Sequence, residues 1–317
     1  MTKYIVKRIG MMILTLFIIA TLTFFLINAI PGKPLANAAK ALPPEVQATF
    51  EKKYGLDQPV MVRYQKYITG LVTGDMGISI QYKGKEVTQI IKEQFPASLR
   101  LGIQSMIIST IIGIIFGIIA AFKRNKWQDH VIMFFSTLLI SIPGLVAGLL
   151  LLLYFGGKGG LPTVGWYNST QSFFQGFKYT ILPSLALSLG AIASNARFMK
   201  SSVMDVMNQD YILTAQAKGL DRFKIVWRHI IRNSMVPMVT LLAPRFAAVI
   251  TGSILIEKLF SIPGIGGELL GAITNRDYSV VMSLTVFFAT IYIISLLIVD
   301  ICYVLLDPRI RLSGSKG

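Results

Sequence analysis

The chain holds one cysteine, Cys302, and two histidines, His130 and His229. A disulfide within the chain is thereby excluded, and no Cys/His cluster is available to hold a metal. Charge is scarce as well: charged residues make up 15% of the sequence, against roughly 25% in soluble proteins. The rarer sign is negative, with 15 Asp and Glu against 31 Lys and Arg and a net charge of +16. No G-x-x-x-x-G-K-[ST] phosphate cradle occurs, because Gly156-Gly157-Lys158-Gly159-Gly160 has the wrong spacing. Nor does any nucleophile stand in a credible constellation with a base. The chain is therefore expected neither to hydrolyse ATP nor to be an enzyme, and to carry no cofactor of its own.

What is abundant is apolar surface: hydrophobic residues reach 53%. Uncharged apolar runs of about 18 residues or more mark membrane spans. Ile9–Ile30, Leu101–Phe122, Val131–Gly157, Tyr179–Ala196 and Ser279–Val299 qualify, and Asn233–Ile256 does so if Arg245 is tolerated within it. The expected fold is an all-α membrane protein of six transmembrane helices. Basic residues fix its orientation. Lys3, Lys7 and Arg8, then Lys123, Arg124 and Lys126, then Arg197 to Arg232, then Arg309 and Arg311 all fall on one side. The two short loops opposite hold only Lys158, Lys178, Lys258 and Arg276. By the positive-inside rule both termini are cytoplasmic. The basic balance is thus topological, and nucleic acid is not an expected partner. A basic start and Ala36-Asn37-Ala38 resemble a signal peptide and its cleavage site, but the first run exceeds the usual 7–15-residue apolar region. An uncleaved anchor is expected.

The chain accordingly divides into the N-terminus and first span (1–30), an outer segment (31–98), a five-helix core (99–307) containing a cytoplasmic loop (197–236), and a short tail (308–317). In the outer segment, Pro43-Pro44 opens an expected helix running to about Lys53. Val60 to Val72 forms an amphipathic helix, Gly74-Asp75-Met76-Gly77 a turn, and Val87 to Phe95 a short helix ended by Pro96. This segment can cap a membrane cavity, touch an external partner, or simply pack. Gly113/Gly117 and Gly144/Gly148 form G-x-x-x-G pairs, and Ala186, Gly190 and Ser194 a small-residue stripe, all suited to close helix contact. Pro143, Pro183 and Pro244 lie inside spans and bend them.

Two charges lie within the membrane. Arg245 is roughly 12 Å deep in the fifth span and Asp300 roughly 9 Å deep in the sixth, at about 1.5 Å per residue. Such charges face protein or water. Two readings stand: a structural Arg245–Asp300 bridge, or an Arg245 that lines a polar pathway and meets an anionic group such as a peptide carboxylate.

The loop between the fourth and fifth spans has the plan of a docking element. Asp210 is placed to cap a helix over Tyr211 to Lys218, including Thr214, with Gly219 as left-handed stop before Leu220. Asp221 then caps a second helix, from about Arg222 to Met235. Ala215 and Ala217 leave little bulk on the first helix, so it can sit deep in a partner's groove. Lys224, Arg228 and Arg232 form a basic stripe that also suits anionic membrane lipid.

Here the sequence resembles the membrane subunits of binding-protein-dependent ATP-binding-cassette importers, and within them the first permease subunit of oligopeptide and dipeptide systems. The matching residues are Asp210-Tyr211, Thr214 to Leu220, Arg228-His229, Arg232-Asn233 and Pro237. Also matching are Tyr54-Gly55-Leu56-Asp57, Gly74 to Gly77, Pro263-Gly264-Ile265-Gly266, Arg276-Asp277-Tyr278 and Asp307 to Arg311. One departure is the glutamate of the general loop motif, whose place falls at about Leu213 or Thr214. The resemblance implies ATPase coupling through Asp210, Tyr211, Thr214, Ala215, Ala217, Lys218, Gly219 and Leu220. It further implies a second homologous permease, two ATPases that bind ATP and Mg, an extracytoplasmic peptide-binding protein, a peptide substrate and a bacterial cell membrane. The same subfamily also serves nickel and glutathione importers. An ion-coupled secondary transporter is the alternative from another class; it calls for midplane carboxylates and inverted repeats, and only Asp300 meets that description.

Overall fold

The computed structural model describes residues 2–30, 52, 55–82, 84–167, 173–238, 241, 245 and 253–306. Side chains at 2–5, 173–175 and 299–306 fall outside that description. In chain order the helices are α1 (Thr2–Ala29), α2 (Val60–Thr73), α3 (Val87–Phe122), α4 (Trp127–Ser141), α5 (Gly144–Phe155), α6 (Phe173–Met207) and α7 (Asp210–Ala217). They continue with α8 (Arg222–Lys224, extended by a π-helical segment Ile225–Ile231), α9 (Ile254–Leu259), α10 (Ile265–Thr274) and α11 (Tyr278–Leu306). Among the described residues the only extended pairing is an isolated bridge between Ile78 and Glu86.

α1, α3, α6 and α11 are each long and apolar enough to cross a membrane. Among the described residues a fifth crossing requires α4 and α5 together, and these meet at 105°. The single span expected over Val131–Gly157, with a bend at Pro143, is therefore sharpened to a broken pair. Pro143 is the cause: a residue before proline is driven out of the α region, and Ile142 is extended at φ −86°, ψ 120°. Within the sixth expected span, Asn233–Ile256, residues 239–240, 242–244 (Pro244 among them) and 246–252 lie outside the described residues, as does the helix expected after Pro43-Pro44 apart from Lys52.

Two further boundaries move. The short helix expected to stop at Pro96 instead runs through it to Phe122. Val87, Ile90 and Ile91 before the proline and Ala97 and Ser98 after it are all buried, so packing on both sides outweighs the lost N–H. The span expected over Tyr179–Ala196 extends past its basic residues to Met207, passing through Pro183.

By packing, the chain divides into Met1–Ser98 with Pro263–Ile294, and Leu99–Ile262 with Ser295–Gly317. In the first unit, Val87, Ile90 and Ile91 of α3 bury against Ile265 and Ala272 of α10 and Val280 and Leu284 of α11. α2 leans on α1 through aromatics: the Phe24 ring stacks on Tyr67 at 5.6 Å, and the hydroxyls of Thr21 and Tyr64 are 2.8 Å apart. The expected turn at 74–77 is present, with left-handed Gly74 (φ +84°) and Gly77 (φ +78°), and the Gly77 N–H donating to the Asp75 carboxylate at 2.8 Å.

In the second unit the G-x-x-x-G of α3 is a seat for α6. A Cβ at Gly113 would lie 2.5 Å from the Asn195 Cβ, and one at Gly117 would lie 2.5 Å from the Met199 Cβ. Close approach of this kind is what small residues permit in lipid. Gly148 plays the same part for α5 against Leu259 and Ile256 of α9.

Candidate functional site

α7 is held against its own chain by one face. Ile212 and Ala215 are buried in a cluster with Met199 and Val203 of α6, Ile225 and Ile230 of the π segment, and Ala121 at the end of α3. Ala215 therefore does not offer its small surface to a partner, as the sequence suggested; its size lets α7 lie close on α6. Ala217 is on the exposed face, with Tyr211, Leu213, Thr214, Lys218 and Leu220. The outward face is apolar at its centre, since Leu213 is 60% exposed.

Both ends of α7 are fixed by local chemistry. Asp210 is the first helical residue and not the side-chain cap that was expected: Gln209 occupies the cap position, without a side-chain bond. The Asp210 carboxylate instead stands in the first turn, where the partial positive charge of the helix N-terminus favours it. Its backbone carbonyl accepts from the Thr214 hydroxyl at 3.0 Å. At the other end, Gly219 is left-handed at φ +71°. Its N–H donates to the Gln216 carbonyl at 2.9 Å and the Leu220 N–H donates to the Ala215 carbonyl at 3.2 Å, which is the paired Schellman closure. Two residues later the Asp221 carboxylate accepts from the Phe223 and Lys224 N–H groups, as the sequence indicated.

The second helix departs from expectation within one turn. Ile225–Ile231 is wound as a π-helix, and ordinary helix resumes over 232–238. The wider turn buries Ile225 and Ile230 while Lys224, Arg228 and Arg232 remain exposed. Phe223 and Trp227 are also exposed, at 68% and 57%, with ring centroids 6.0 Å apart. The surface continuous with α7 thus combines aromatic rings with the basic stripe. Sequence reasoning noted the cations and missed the rings, although their i, i+4 spacing was the available signal. Cross-ties make this a single knuckle. The Asn233 amide donates to the Tyr211 hydroxyl at 3.0 Å, and the Ser202 hydroxyl donates to the Ser234 carbonyl at 2.9 Å. Lys200 of α6 pairs with the buried Asp129 of α4 at 2.5 Å, and the Asn125 N–H donates to the same carboxylate at 3.1 Å.

Farther along α6, Ser194 and Asn195 meet Arg245, the residue expected within the fifth span. Arg245 donates through Nη1 to the Asn195 side-chain oxygen and through Nη2 to the Ser194 hydroxyl at 2.7 Å. The Asn195 amide in turn donates to the Ser109 carbonyl of α3 at 3.2 Å. Asn195 is held where it is by the Gly113 notch. The side chain of Asp300 lies outside the described residues. The sequence pointed to Arg245 but to neither of these neutral partners: Ser194 read as part of the small-residue stripe with Ala186 and Gly190, and Asn195 was not singled out.

Comparison with known proteins adds relatives for this arrangement. Residues 113–312 match the family described as binding-protein-dependent transport system inner membrane component, and residues 1–102 match the N-terminal region of such membrane components. The dipeptide transport system permease protein of Lactococcus lactis subsp. cremoris (strain MG1363) is 40% identical over 313 residues, 98% of this chain and 100% of the relative. That of Bacillus subtilis (strain 168) is 40% identical over 98% of this chain and 99% of its own. The oligopeptide transport system permease protein of Salmonella typhimurium is 39% identical over 98% and 100% respectively.

Proposed function

Since the chain belongs to the family of binding-protein-dependent transport system inner membrane components, we propose that it is the membrane-spanning permease subunit of an ATP-driven importer of dipeptides or oligopeptides. It is a multi-pass protein of the cell membrane and a transport component, not a catalyst. Its six spans place both termini in the cytoplasm. It pairs with a second, homologous permease, receives peptide from an extracytoplasmic binding protein, and is driven by two cytoplasmic ATPases that bind the ATP and Mg. The observation that carries this reading is near-complete coverage, at 40% identity, of a dipeptide permease.

α7 is the point of ATPase coupling. Asp210, Tyr211, Thr214, Ala217, Lys218, Gly219 and Leu220 form or frame the face the ATPase grips. Ala215 acts from behind by seating the helix on α6. A push on α7 meets no soft joint: the Schellman turn, the Asp221 cap and the Asn233–Tyr211 bond pass the force to the helix leading into the fifth span. Closure of the ATPases then becomes a rigid-body change in the membrane. Among the described residues, apart from its two chain neighbours, nothing lies within 4 Å of a Cβ placed at Gly219. Gly219→Asp consequently leaves the interior untouched, while straining a left-handed turn and adding negative charge at a helix C-terminus. Peptide uptake and peptide-stimulated ATP hydrolysis should both fall at least tenfold in the reconstituted complex, with membrane insertion unchanged. Normal coupling in that variant refutes the role. Nickel and glutathione belong in the same assay, and uptake of either in place of peptide reassigns the substrate.

Arg245 lines the pathway and meets an anionic group of the peptide. Its two described hydrogen bonds go to neutral side chains, which orient the guanidinium without neutralising it. The competing structural bridge to Asp300 predicts that Arg245→Asp with Asp300→Arg recovers transport lost in either single variant. Failure of that recovery supports the pathway role.

A further inference from the structure

We propose that the cavity enclosed by the end of α1, α2 and the turn following α2 binds the headgroup of an anionic phospholipid whose phosphodiester carries free hydroxyls, as in phosphatidylglycerol. The cavity has a volume of about 450 Å³, lies within a single packed unit, and sits at the end of α1 remote from its basic N-terminus. On the orientation proposed above, that is the outer leaflet's headgroup level. Its size falls within the range of small-ligand pockets, roughly 300–1,000 Å³.

The lining is chemically unfinished. Gln58 Oε1, Arg63 Nε and Tyr67 OH are shielded from solvent and have no hydrogen-bond partner among the described residues. Buried polar groups in native proteins are normally paired, so three orphans facing one cavity point to an occupant that supplies the partners. What they demand is specific: Arg63 and Tyr67 offer donors, and Gln58 offers an acceptor. Burial pushes the Tyr67 phenol well above its ordinary range, so its hydroxyl stays neutral and able to donate. Charge selects the donors' target. Among the described lining residues, Lys52, Arg63 and Lys66 stand against Asp75, three cations to one acid, and the Asp75 carboxylate already accepts the Gly77 N–H. A phosphate oxygen satisfies Arg63 and Tyr67, and a hydroxyl beyond it satisfies Gln58.

Position favours lipid over an acidic protein surface. The Phe24 ring forms part of the cavity lining, and the same stretch of α1 exposes Leu22, Phe25 and Leu26 at 56%, 41% and 66%. Those residues offer acyl chains an apolar track beside a headgroup held in the cavity. Tyr64 and Tyr67 pack on Phe24 at this level, where membrane proteins concentrate such amphipathic rings.

The test uses the assembled transporter in nanodiscs of phosphatidylcholine containing a minor fraction of phosphatidylglycerol, with retained lipid counted by native mass spectrometry. One phosphatidylglycerol should persist per copy of this chain, and Arg63→Gln with Tyr67→Phe should lower its retention tenfold or more. Tyr67→Phe alone keeps the ring on Phe24 and should still cost a few-fold, which preserves the test if the double variant fails to assemble. Equal retention in wild type and Tyr67→Phe overturns the proposal. So does occupation by soluble glycerol phosphate without retained lipid, which identifies a free phosphate ester. Loss of binding-protein affinity in lipid-independent fashion, with phosphatidylglycerol retention unchanged, overturns it in favour of an acidic protein contact.

Discussion

Asp277 has no solvent exposure, so its charge must be satisfied where it sits. One carboxylate oxygen accepts from the Ser79 hydroxyl at 2.5 Å and from the Ile80 and Gln81 N–H groups at 3.1 and 3.0 Å. It thereby fastens the loop after α2 to the residue preceding α11. The sequence marked Arg276-Asp277-Tyr278 as a motif but could not name this partner, since nearly 200 positions separate the two strands of chain. Asp277→Asn keeps the shape and weakens three charge-assisted bonds. It should cost about 1.5–3 kcal/mol, the range for hydrogen bonds to charged groups, measured by unfolding of the detergent-solubilised protein, and should open the 76–86 loop to protease. An unchanged unfolding midpoint with an intact loop contradicts this role. Glu268 works beside it, accepting from the Tyr82 hydroxyl at 3.0 Å and the Gln94 amide at 2.8 Å. Burial together with this carboxylate pushes the Tyr82 phenol up to about 12, so it remains a donor at any physiological pH. Gly113 is the residue-scale counterpart in the second unit. Gly113→Ala puts a methyl into the Asn195 side chain and should cost about 1–3 kcal/mol, as overpacking does. It should also reduce transport by displacing the Asn195 that orients Arg245.

Elements were legible where local chemistry decides them and illegible where packing does. The α7 stop at Gly219, the Asp221 cap, the α2 amphipathic helix and the 74–77 turn all follow from residue types at fixed offsets. Pro143 was read as a bend, but a break of 105° depends on what each half packs against. Pro96 was read as a stop and is not one, for the same reason. The π winding of Ile225–Ile231 has no signature in IVWRHII; the sequence is an acceptable α-helix, and only burial of Ile225 and Ile230 together with Ile212 and Ala215 selects the wider turn. Equally hidden was the tie between α4 and α6. Asp129 is buried, Lys200 reaches it, and the Lys200 side chain is only 20% exposed. Removing one partner leaves the other charge poorly solvated, so Asp129→Ala should destabilise more than the double variant Asp129→Ala with Lys200→Ala. A double-mutant cycle on unfolding should give a coupling of about 1–3 kcal/mol. Additive effects of the two substitutions show instead that the pair does nothing for the fold. Because α6 leads into α7, the same cycle on uptake tests whether this tie also carries coupling.

At the scale of the whole molecule, the question left by the broken α4–α5 pair is whether it crosses the bilayer or returns to the side it entered, and charge supplies the answer. Basic residues cluster both at 123–126, before the pair, and at 218–232, after α6. The two clusters share the cytoplasmic side only if an even number of crossings separates them. On the topology proposed above α6 crosses once, and the broken pair then crosses as well. A re-entrant pair would carry the 218–232 cluster, and α7 with it, to the outer face, where no ATPase could reach. With Cys302 replaced by Ser, single cysteines at Asn125, Lys158, Lys218 and Asn275 make the test clean. A membrane-impermeant maleimide on intact cells should label Lys158→Cys and Asn275→Cys and spare Asn125→Cys and Lys218→Cys until the cells are permeabilised. Labelling of Lys218→Cys in intact cells removes the coupling role of α7 altogether. Silence at Lys158→Cys alone, with the other three as expected, indicates burial of that loop within the assembly and leaves the parity argument standing. The same topology dictates what the chain can do unaided. With no phosphate cradle of its own, it should not concentrate peptide when reconstituted alone in vesicles at any ATP concentration. Uphill uptake should appear when the second permease, both ATPases and the binding protein are added, and should vanish with ATP depletion even under a maintained proton gradient. Accumulation by the isolated chain would mean that its helices couple to an ion gradient directly.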